Sequence, residues 1–282
     1  MEDADVSVIN KNHYNTVTDT WELIFGDNFH FGYFEHENTS LQEATQLLVE
    51  KFIALGNITK NAKALDIGCG IGKPAIYIHE KTGCDITGIS NSEKGIEEAN
   101  RKMDEFGIRK GIRFEVRDAL NTGLGPDIFD IVFLLESSHL IHNKERLFRE
   151  CYRMLANGGT VILCDIIKLG EDVDPLRRTD VQIREGKLLT NVFGEVETRT
   201  LSYYKKVLIE AGFSDVQTQD ISSHTIHTMQ GWRKNIYENR DRLAVVSSEE
   251  KIEEFLNACD ILEEYYRGHY IGYGFVKAVK KL

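Results

Sequence analysis

Apolar residues change their spacing along this chain. Leu41, Ala44, Leu47, Leu48 and Leu55 recur at helical intervals behind a capping box formed by Ser40 and Glu43, which predicts a helix over 40–55 ended by Gly56. Beyond it the rhythm shortens. Apolar or β-branched runs fall at 62–67, 84–89, 112–116, 129–135 and 160–167, and helical stretches near 73–80, 92–106 and 143–155 separate them. Ser92 and Asn143 stand where N-caps belong. A helix near 200–211, a strand near 215–221 and a closing strand over 270–279 continue the pattern. Strands alternating with helices imply right-handed βαβ units and a parallel sheet covered on both faces.

Some stretches break the alternation. Residues 1–12 have little apolar periodicity and are expected to fray. Residues 13–40 are rich in aromatic side chains: Tyr14, Trp21, Phe25, Phe29, Phe31, Tyr33 and Phe34. Segments 168–199, which holds Asp174, Pro175, Leu176, Arg177 and Arg178, and 223–268, with a helix near 248–266, exceed an ordinary crossover. Long insertions of this kind often act as lids. Three prolines and no low-complexity tract mark no linker, so 1–282 reads as one domain: an N-terminal lid over 1–40, a core over 56–167 and a cap made of the two insertions.

Composition narrows the function. Hydrophobic residues are 41% and charged residues 28%, which excludes wholesale disorder. The net charge of −11 repels phosphate backbones, so nucleic acid is not an expected partner. Five cysteines (Cys69, Cys84, Cys151, Cys164 and Cys259) without a CxxC pair argue against a disulfide framework and a thiolate zinc site. The histidines show no HxH, HxxxH or HExxH pattern, so no metal is expected. No apolar run approaches the roughly 18 residues of a membrane span. The acidic, polar N-terminus does not read as a signal peptide, and a cytoplasmic protein is expected.

The strongest local signal is Leu65-Asp66-Ile67-Gly68-Cys69-Gly70-Ile71-Gly72-Lys73-Pro74. Glycines end a strand and open a helix, so the backbone can approach a ligand whose anionic group meets the helix N-terminus. The spacing is GxGxG rather than GxGxxG, and no Lys-Ser/Thr follows as in a P-loop. Asp66 would repel a pyrophosphate but could meet an ammonium group.

This loop resembles the first motif of class I S-adenosylmethionine-dependent methyltransferases. The chain is most similar to natural-product small-molecule methyltransferases of the rebeccamycin sugar O-methyltransferase and tocopherol methyltransferase type, and also resembles the cyclopropane fatty-acid synthase branch. The stretch from Trp21 through Asn28, His30 and Gly32 to Phe34 matches their lid. The resemblance implies a Rossmann-like seven-stranded sheet of order 3-2-1-4-5-7-6 with strand seven antiparallel. It implies S-adenosyl-L-methionine as cofactor, S-adenosyl-L-homocysteine as product, and a small-molecule methyl acceptor; a homodimer is open to it. Asp66, Gly68, Cys69, Gly70 and Gly72 would underlie the methionine part. Trp21, His30 and Tyr33 would close over it, with a protonated His30 near the carboxylate. Ser90 would meet the ribose, although Gly95 stands where relatives carry an assisting glutamine. Asp118 and Ala119 would bracket the adenine, and Leu135 would line the site.

The candidate catalytic groups follow the fourth strand, in Leu135-Glu136-Ser137-Ser138-His139-Leu140-Ile141-His142. A free imidazole titrates near pH ~6.5, so His139 suits general-base work there. Asp165, ending the fifth strand, matches an active-site aspartate of the sugar enzymes. His142 reads as the start of the next helix. Glu136, with Tyr203, Tyr204, Tyr265 and Tyr266, could instead form a cation-friendly pocket, although tyrosines at that spacing are also ordinary core. Arg177, Arg178, Arg184 and Lys187 read as a solvated face. The pair His139 and Asp165 favours O-methylation, ahead of N-methylation of an amine or indole alkaloid and C-methylation of an isoprenoid. The competing class is a non-catalytic nucleotide-binding module.

Overall fold

The alternation of short apolar runs and helices resolves into one mixed sheet in the computed structural model, which describes residues 3–26, 28–170 and 179–281. Strands β1 (Lys63–Ile67), β2 (Asp85–Ser90), β3 (Ile112–Val116), β4 (Phe129–Leu135) and β5 (Leu155–Lys168) run parallel. With β6 (Phe213–Asp220) and β7 (Ile271–Lys280) they form a seven-stranded sheet of order β3-β2-β1-β4-β5-β7-β6. β7 is antiparallel to both its neighbours, as expected. The central strands are buried along almost their whole length because helices cover both faces, which is why they read as continuous apolar runs.

The expected helices are α2 (Leu41–Gly56), α3 (Lys73–Thr82), α4 (Glu93–Glu105), α5 (Lys144–Met154), α7 (Leu201–Glu210) and α11 (Glu249–Arg267). Their starts are capped as the residue types dictate. Ser40 accepts from Glu43 N at 3.2 Å, and Glu43 accepts from Ser40 N at 3.1 Å. Ser92 accepts from Gly95 N at 2.9 Å, and Asn143 accepts from Arg146 N at 3.0 Å.

The N-terminus corrects the sequence reading. Residues expected to fray form the start of α1 (Asp3–Phe25), a helix of 23 residues. Apolar periodicity could not reveal it, because much of its docking is polar. Asn91 donates to Ser7 Oγ at 3.0 Å, Ser92 donates to Asn15 at 2.6 Å, and Lys11 pairs with Glu93 at 2.5 Å. Lys102, nearly buried in α4, reaches Glu22 at 2.5 Å.

The two insertions are helical. The first contributes α6 (Asp180–Phe193), opened by a Thr179 and Gln182 capping box. Asp174, Pro175, Leu176, Arg177 and Arg178 lie outside the described residues, and so does Asp27 of the aromatic segment. The second insertion adds α8 (Ser222–Thr225), α9 (Thr228–Glu238) and α10 (Arg240–Val246) before α11. Trp232 in α9 is 2% exposed, with Phe25, Phe31, Phe193 and Phe255 rings 4.7–6.3 Å from it. This aromatic cluster ties α1, α6, α9 and α11 into a roof above the carboxyl ends of the strands.

Candidate active site

Gly68, Gly70 and Gly72 follow β1 and take φ of +83°, +52° and +77°, a region costly for other residues. They meet different constraints. A Cβ on Gly68 would lie 2.3 Å from Ser137 Cβ, and one on Gly72 would lie 2.7 Å from the Phe114 ring. A Cβ on Gly70 would meet nothing within 4 Å. Gly70 is therefore the position that opens onto free space, above the N-terminus of α3. Gly72 packs helix against sheet and does not line the cavity, contrary to the sequence expectation.

That space is a cavity of about 380 Å³. Asp66, Gly68, Cys69 and Gly70 form one wall. Ser90, Asp118 and Ala119 form the end beyond β2 and β3, and Leu135 forms the floor. Trp21 and His30 cover it. Tyr33, expected among the covering residues, stands elsewhere: its ring stacks on His224 at 4.2 Å. Gly95 also lines the cavity, and a Cβ there would lie 3.2 Å from the Gly70 carbonyl oxygen.

The charged groups are held in unusual states. Asp66 is 3% exposed, and its carboxyl has no hydrogen bond among the described residues; burial pushes it up to about 8. His30 donates from Nδ1 to Phe31 O at 2.8 Å, while its buried Nε2 has no partner among the described residues. Burial lowers the His30 imidazole to about 4, outweighing that hydrogen bond. In the ligand-free structure this lowering favours the neutral ring. Asp118 is exposed and uses one oxygen to accept from Leu120 N at 2.8 Å, so it caps its own turn.

Beyond β4 the chain turns through Glu136 at φ +51° into a single 3₁₀ turn, Ser138–Leu140. This turn places His139 on the cavity wall and sets Asp165 behind it. Asp165 is fully buried, and its Oδ1 lies 2.5 Å from His139 Nδ1. Its Oδ2 accepts from Ser138 Oγ at 2.5 Å and from His139 N at 3.0 Å. Burial alone would raise the Asp165 carboxyl, but the charge of His139 and these hydrogen bonds outweigh it and hold it below the usual range. An ionised Asp165 fixes the ring as the Nδ1–H tautomer and leaves Nε2 on the cavity side.

Glu136 is half-buried against the same cavity. Its Oε1 accepts from Phe31 N at 2.6 Å and from Tyr273 Oη at 2.5 Å. Burial pushes its carboxyl up to about 8, against the pull of those two donors. His142 lines the wall just before the Asn143 cap, and its Nε2 is buried without a partner among the described residues. Of the four singled-out tyrosines, Tyr204 and Tyr266 are core, Tyr203 bonds Glu145 at 2.8 Å, and Tyr265 reaches the cavity. Arg184 and Lys187 are exposed on α6. Among the described residues no group of His, Cys, Asp or Glu is arranged to hold a metal ion, and no helix is long and apolar enough to cross a membrane.

Sequence reasoning missed what α1 supplies to the cavity. Ser7, Asn10, Tyr14 and Thr18 all line it. Burial, and then the charges of Glu136 and Asp165, push the Tyr14 phenol above its ordinary range, so it stays a donor. The four positions follow a three- and four-residue spacing, but three of them are small polar residues that an apolar pattern search passes over.

The chain matches the model of the family described as mycolic acid cyclopropane synthetase over residues 2–272. It is 32% identical over 216 residues to a 27-O-demethylrifamycin SV methyltransferase of Amycolatopsis mediterranei, covering 75% of this chain and 76% of that protein. It is 26% identical to the methyltransferase GfsG of Streptomyces halstedii, covering 76% and 75% of the two chains. The fold superposes on the cyclopropane synthase MmaA2 of Mycobacterium tuberculosis with a TM-score of 0.86, at 18% identity and 98% coverage of both chains.

Proposed function

The chain belongs to the mycolic acid cyclopropane synthetase family and is an S-adenosylmethionine-dependent methyltransferase acting on a small molecule, and from that premise we propose that it methylates a hydroxyl oxygen of a specialised metabolite. The observation that carries this reading is the pair of His139 and Asp165 on the cavity wall, joined at 2.5 Å. A hydroxyl loses its proton to a base as it attacks; a neutral amine or an alkene attacks first, and the ammonium or carbocation formed gives up its proton only afterwards. The relative's name, 27-O-demethylrifamycin SV methyltransferase, also specifies an acceptor lacking a methyl on oxygen.

The residues present fit the cofactor. The open face of Gly70 and the unpartnered carboxyl of Asp66 suit a methionine chain carrying an ammonium group. Ser90 suits the ribose, and Asp118 and Ala119 suit the adenine, with the free oxygen of Asp118 accepting from its amine. When bound, S-adenosylmethionine supplies a methyl already activated on a sulfonium, so the protein's task is alignment and exclusion of water. Trp21, Phe25 and Phe29 exclude water from above. Nε2 of His139 takes the acceptor proton, and Asp165 stabilises the resulting imidazolium. In this reading residues 1–40 are the lid, 56–167 the cofactor-binding core, and 168–199 with 223–268 the acceptor cap.

Glu136 supports a second reading. Its carboxyl sits at the cavity with Tyr273 and near aromatic rings, an arrangement that could stabilise a cation formed on an alkene during C-methylation. Incubation with methyl-labelled S-adenosylmethionine and 27-O-demethylrifamycin SV, then with a panel of hydroxylated, amine and isoprenoid compounds, separates the readings. A labelled methyl ether is expected. Label found only on carbon or nitrogen would reject the oxygen assignment.

A further inference from the structure

The turn that carries His139 exposes three successive carbonyls, and a different part of the chain holds each one. His139 O accepts from the Glu197 backbone N–H at 2.7 Å. Leu140 O accepts from Asn10 Nδ2 at 3.3 Å, and Ile141 O accepts from Lys144 Nζ at 2.6 Å. Lys144 is fully buried at the start of α5 and moves only with the core. Glu197 belongs to the segment after α6. Asn10 belongs to α1, the helix that covers the cavity.

The Asn10 amide is used on both sides. Nδ2 also donates to Glu195 O at 2.9 Å, and Oδ1 accepts from Glu195 N at 2.8 Å. The side chain thus pairs with Glu195 as a neighbouring strand would, and it is 4% exposed. Gly194, at φ +85°, leaves room for this: a Cβ there would lie 2.9 Å from Asn10 Oδ1. A fully paired, buried amide joins lid helix, cap segment and catalytic turn at one point.

We infer that Asn10 is a positioning residue for His139, coupling the docked state of α1 to the orientation of the imidazole. When the helix is docked, Asn10 fixes the Leu140 carbonyl one residue beyond His139, and the ring is aimed at the cavity. When the helix lifts, Leu140 O and both backbone groups of Glu195 lose their partner together, and the turn loses one of the three contacts to its carbonyls while Ser138 and His139 N stay on Asp165. The hydrogen bond between His139 and Asp165 tolerates little rotation of the ring, so a small shift of the turn is felt there. The base is then in place when water is shut out and loosened when the site is open. The coupling rests on the reading of His139 as the base, but its test is independent of that reading.

The test uses the full chain with ¹⁵N-labelled histidine, saturated with S-adenosylhomocysteine and observed by NMR. The His139 ring is identified by the loss of its signals in His139→Gln. The unaltered protein should show the Nδ1–H tautomer with its proton shared toward Asp165. Asn10→Ala keeps a good helix former and should move the two ring nitrogen signals toward each other, as tautomers mix. Gly194→Ala disturbs the same contact from the opposite side and should do likewise, which covers the case of an unfolded Asn10 variant. Arg109→Ala removes an exposed pair with Asp104, outside α1 and the turn, and should leave the ring signals in place. Unchanged signals in Asn10→Ala and Gly194→Ala, or an equal change in Arg109→Ala, would overturn the coupling. Full methyl transfer by His139→Ala would instead reject the base and leave the coupling as measured.

Discussion

His139 and Asp165 are 26 residues apart in the chain and 2.5 Å apart in space, Nδ1 against Oδ1. The contact arises because β4 and β5 are adjacent parallel strands, and Leu135 pairs with Cys164 at their carboxyl ends. One residue past that pair stands Asp165; a few past it on the other strand, the 3₁₀ turn brings His139 back over it. Every acceptor site of Asp165 faces a donor, an arrangement that holds the His139 ring in place.

Replacing His139 by Ala should lower kcat by about 10²–10⁴-fold and leave S-adenosylhomocysteine affinity within a few-fold. Asp165→Asn keeps the volume but loses the charge that selects the tautomer, and about 10–100-fold is expected. Single-turnover kinetics alongside calorimetry separates the two quantities. Unaltered turnover in His139→Ala would mean that alignment alone drives the transfer.

Gly70 and Gly72 allow a contrast within one turn. Gly70→Ala pays only for its backbone conformation, about 1–2 kcal/mol, because its Cβ would enter open space. It should fold, and its cofactor affinity should fall at least tenfold; Gly70→Val should bind no measurable cofactor. Gly72→Ala drives a methyl into Phe114 and Ala99, so about 2–4 kcal/mol of stability is lost. Chemical denaturation and calorimetry of both variants decide this. Equal stabilities for the two alanine variants would contradict the division of roles.

The sheet was legible because buried parallel strands leave runs of apolar residues that nothing else in the chain imitates; the strands over 112–116 and 129–135 coincide with the observed β3 and β4. Capped helices such as α2 and α4 were legible for the same reason: Ser40 and Ser92 have a local task that spacing exposes. That the glycine turn and His139 stand at the cavity followed from their strand-end positions. What stayed hidden was α1. Its inner face carries Ser7, Asn10 and Asn15, whose partners lie just before α4 and near 195, and long-range polar pairing leaves no periodic trace. The separate tasks of the three glycines were hidden too, since φ signs and neighbours such as Ser137 and Phe114 are tertiary facts.

Asp66 and Glu136 make the ligand-free protein sensitive to alkali. Their carboxyls ordinarily titrate at 3.8 and 4.5 and are both pushed up to about 8 by burial. Between those values the folded chain binds more protons than the unfolded chain. Their contribution is therefore full below pH about 4 and is lost as pH rises through about 8. The melting temperature should fall from pH 5 to 8.5, and the fall should flatten in an Asp66→Asn, Glu136→Gln double variant. The cavity gives Glu136 some contact with solvent, so Asp66, at 3% exposure, should account for the larger share. The same slope in the double variant would assign the pH effect to other groups.

The docking of α1 implies an order of events. The helix lies across the Ser90 end of the cavity, with Ser7 on Asn91 and Asn15 on Ser92, the two residues after Ser90. A cofactor of nucleoside size cannot pass between groups 2.6–3.0 Å apart, so the helix must lift for entry and exit. These contacts are polar and partly solvated, and the Lys11 and Lys94 pairs with Glu93 and Asp19 are at the surface. Opening should therefore cost much less than global unfolding. Amide hydrogen exchange over residues 6–21 should be faster than in β1 and β4 in the free protein, and slower once S-adenosylhomocysteine is bound. Lys11→Ala should speed both that exchange and ligand release. Trp21 on α1 and Trp232 beneath it are the two tryptophans of the chain and both line the cavity, so stopped-flow fluorescence can follow the release directly. Exchange in α1 that is indifferent to the ligand would show that the cofactor enters without moving this helix, and release would then be governed by the cap.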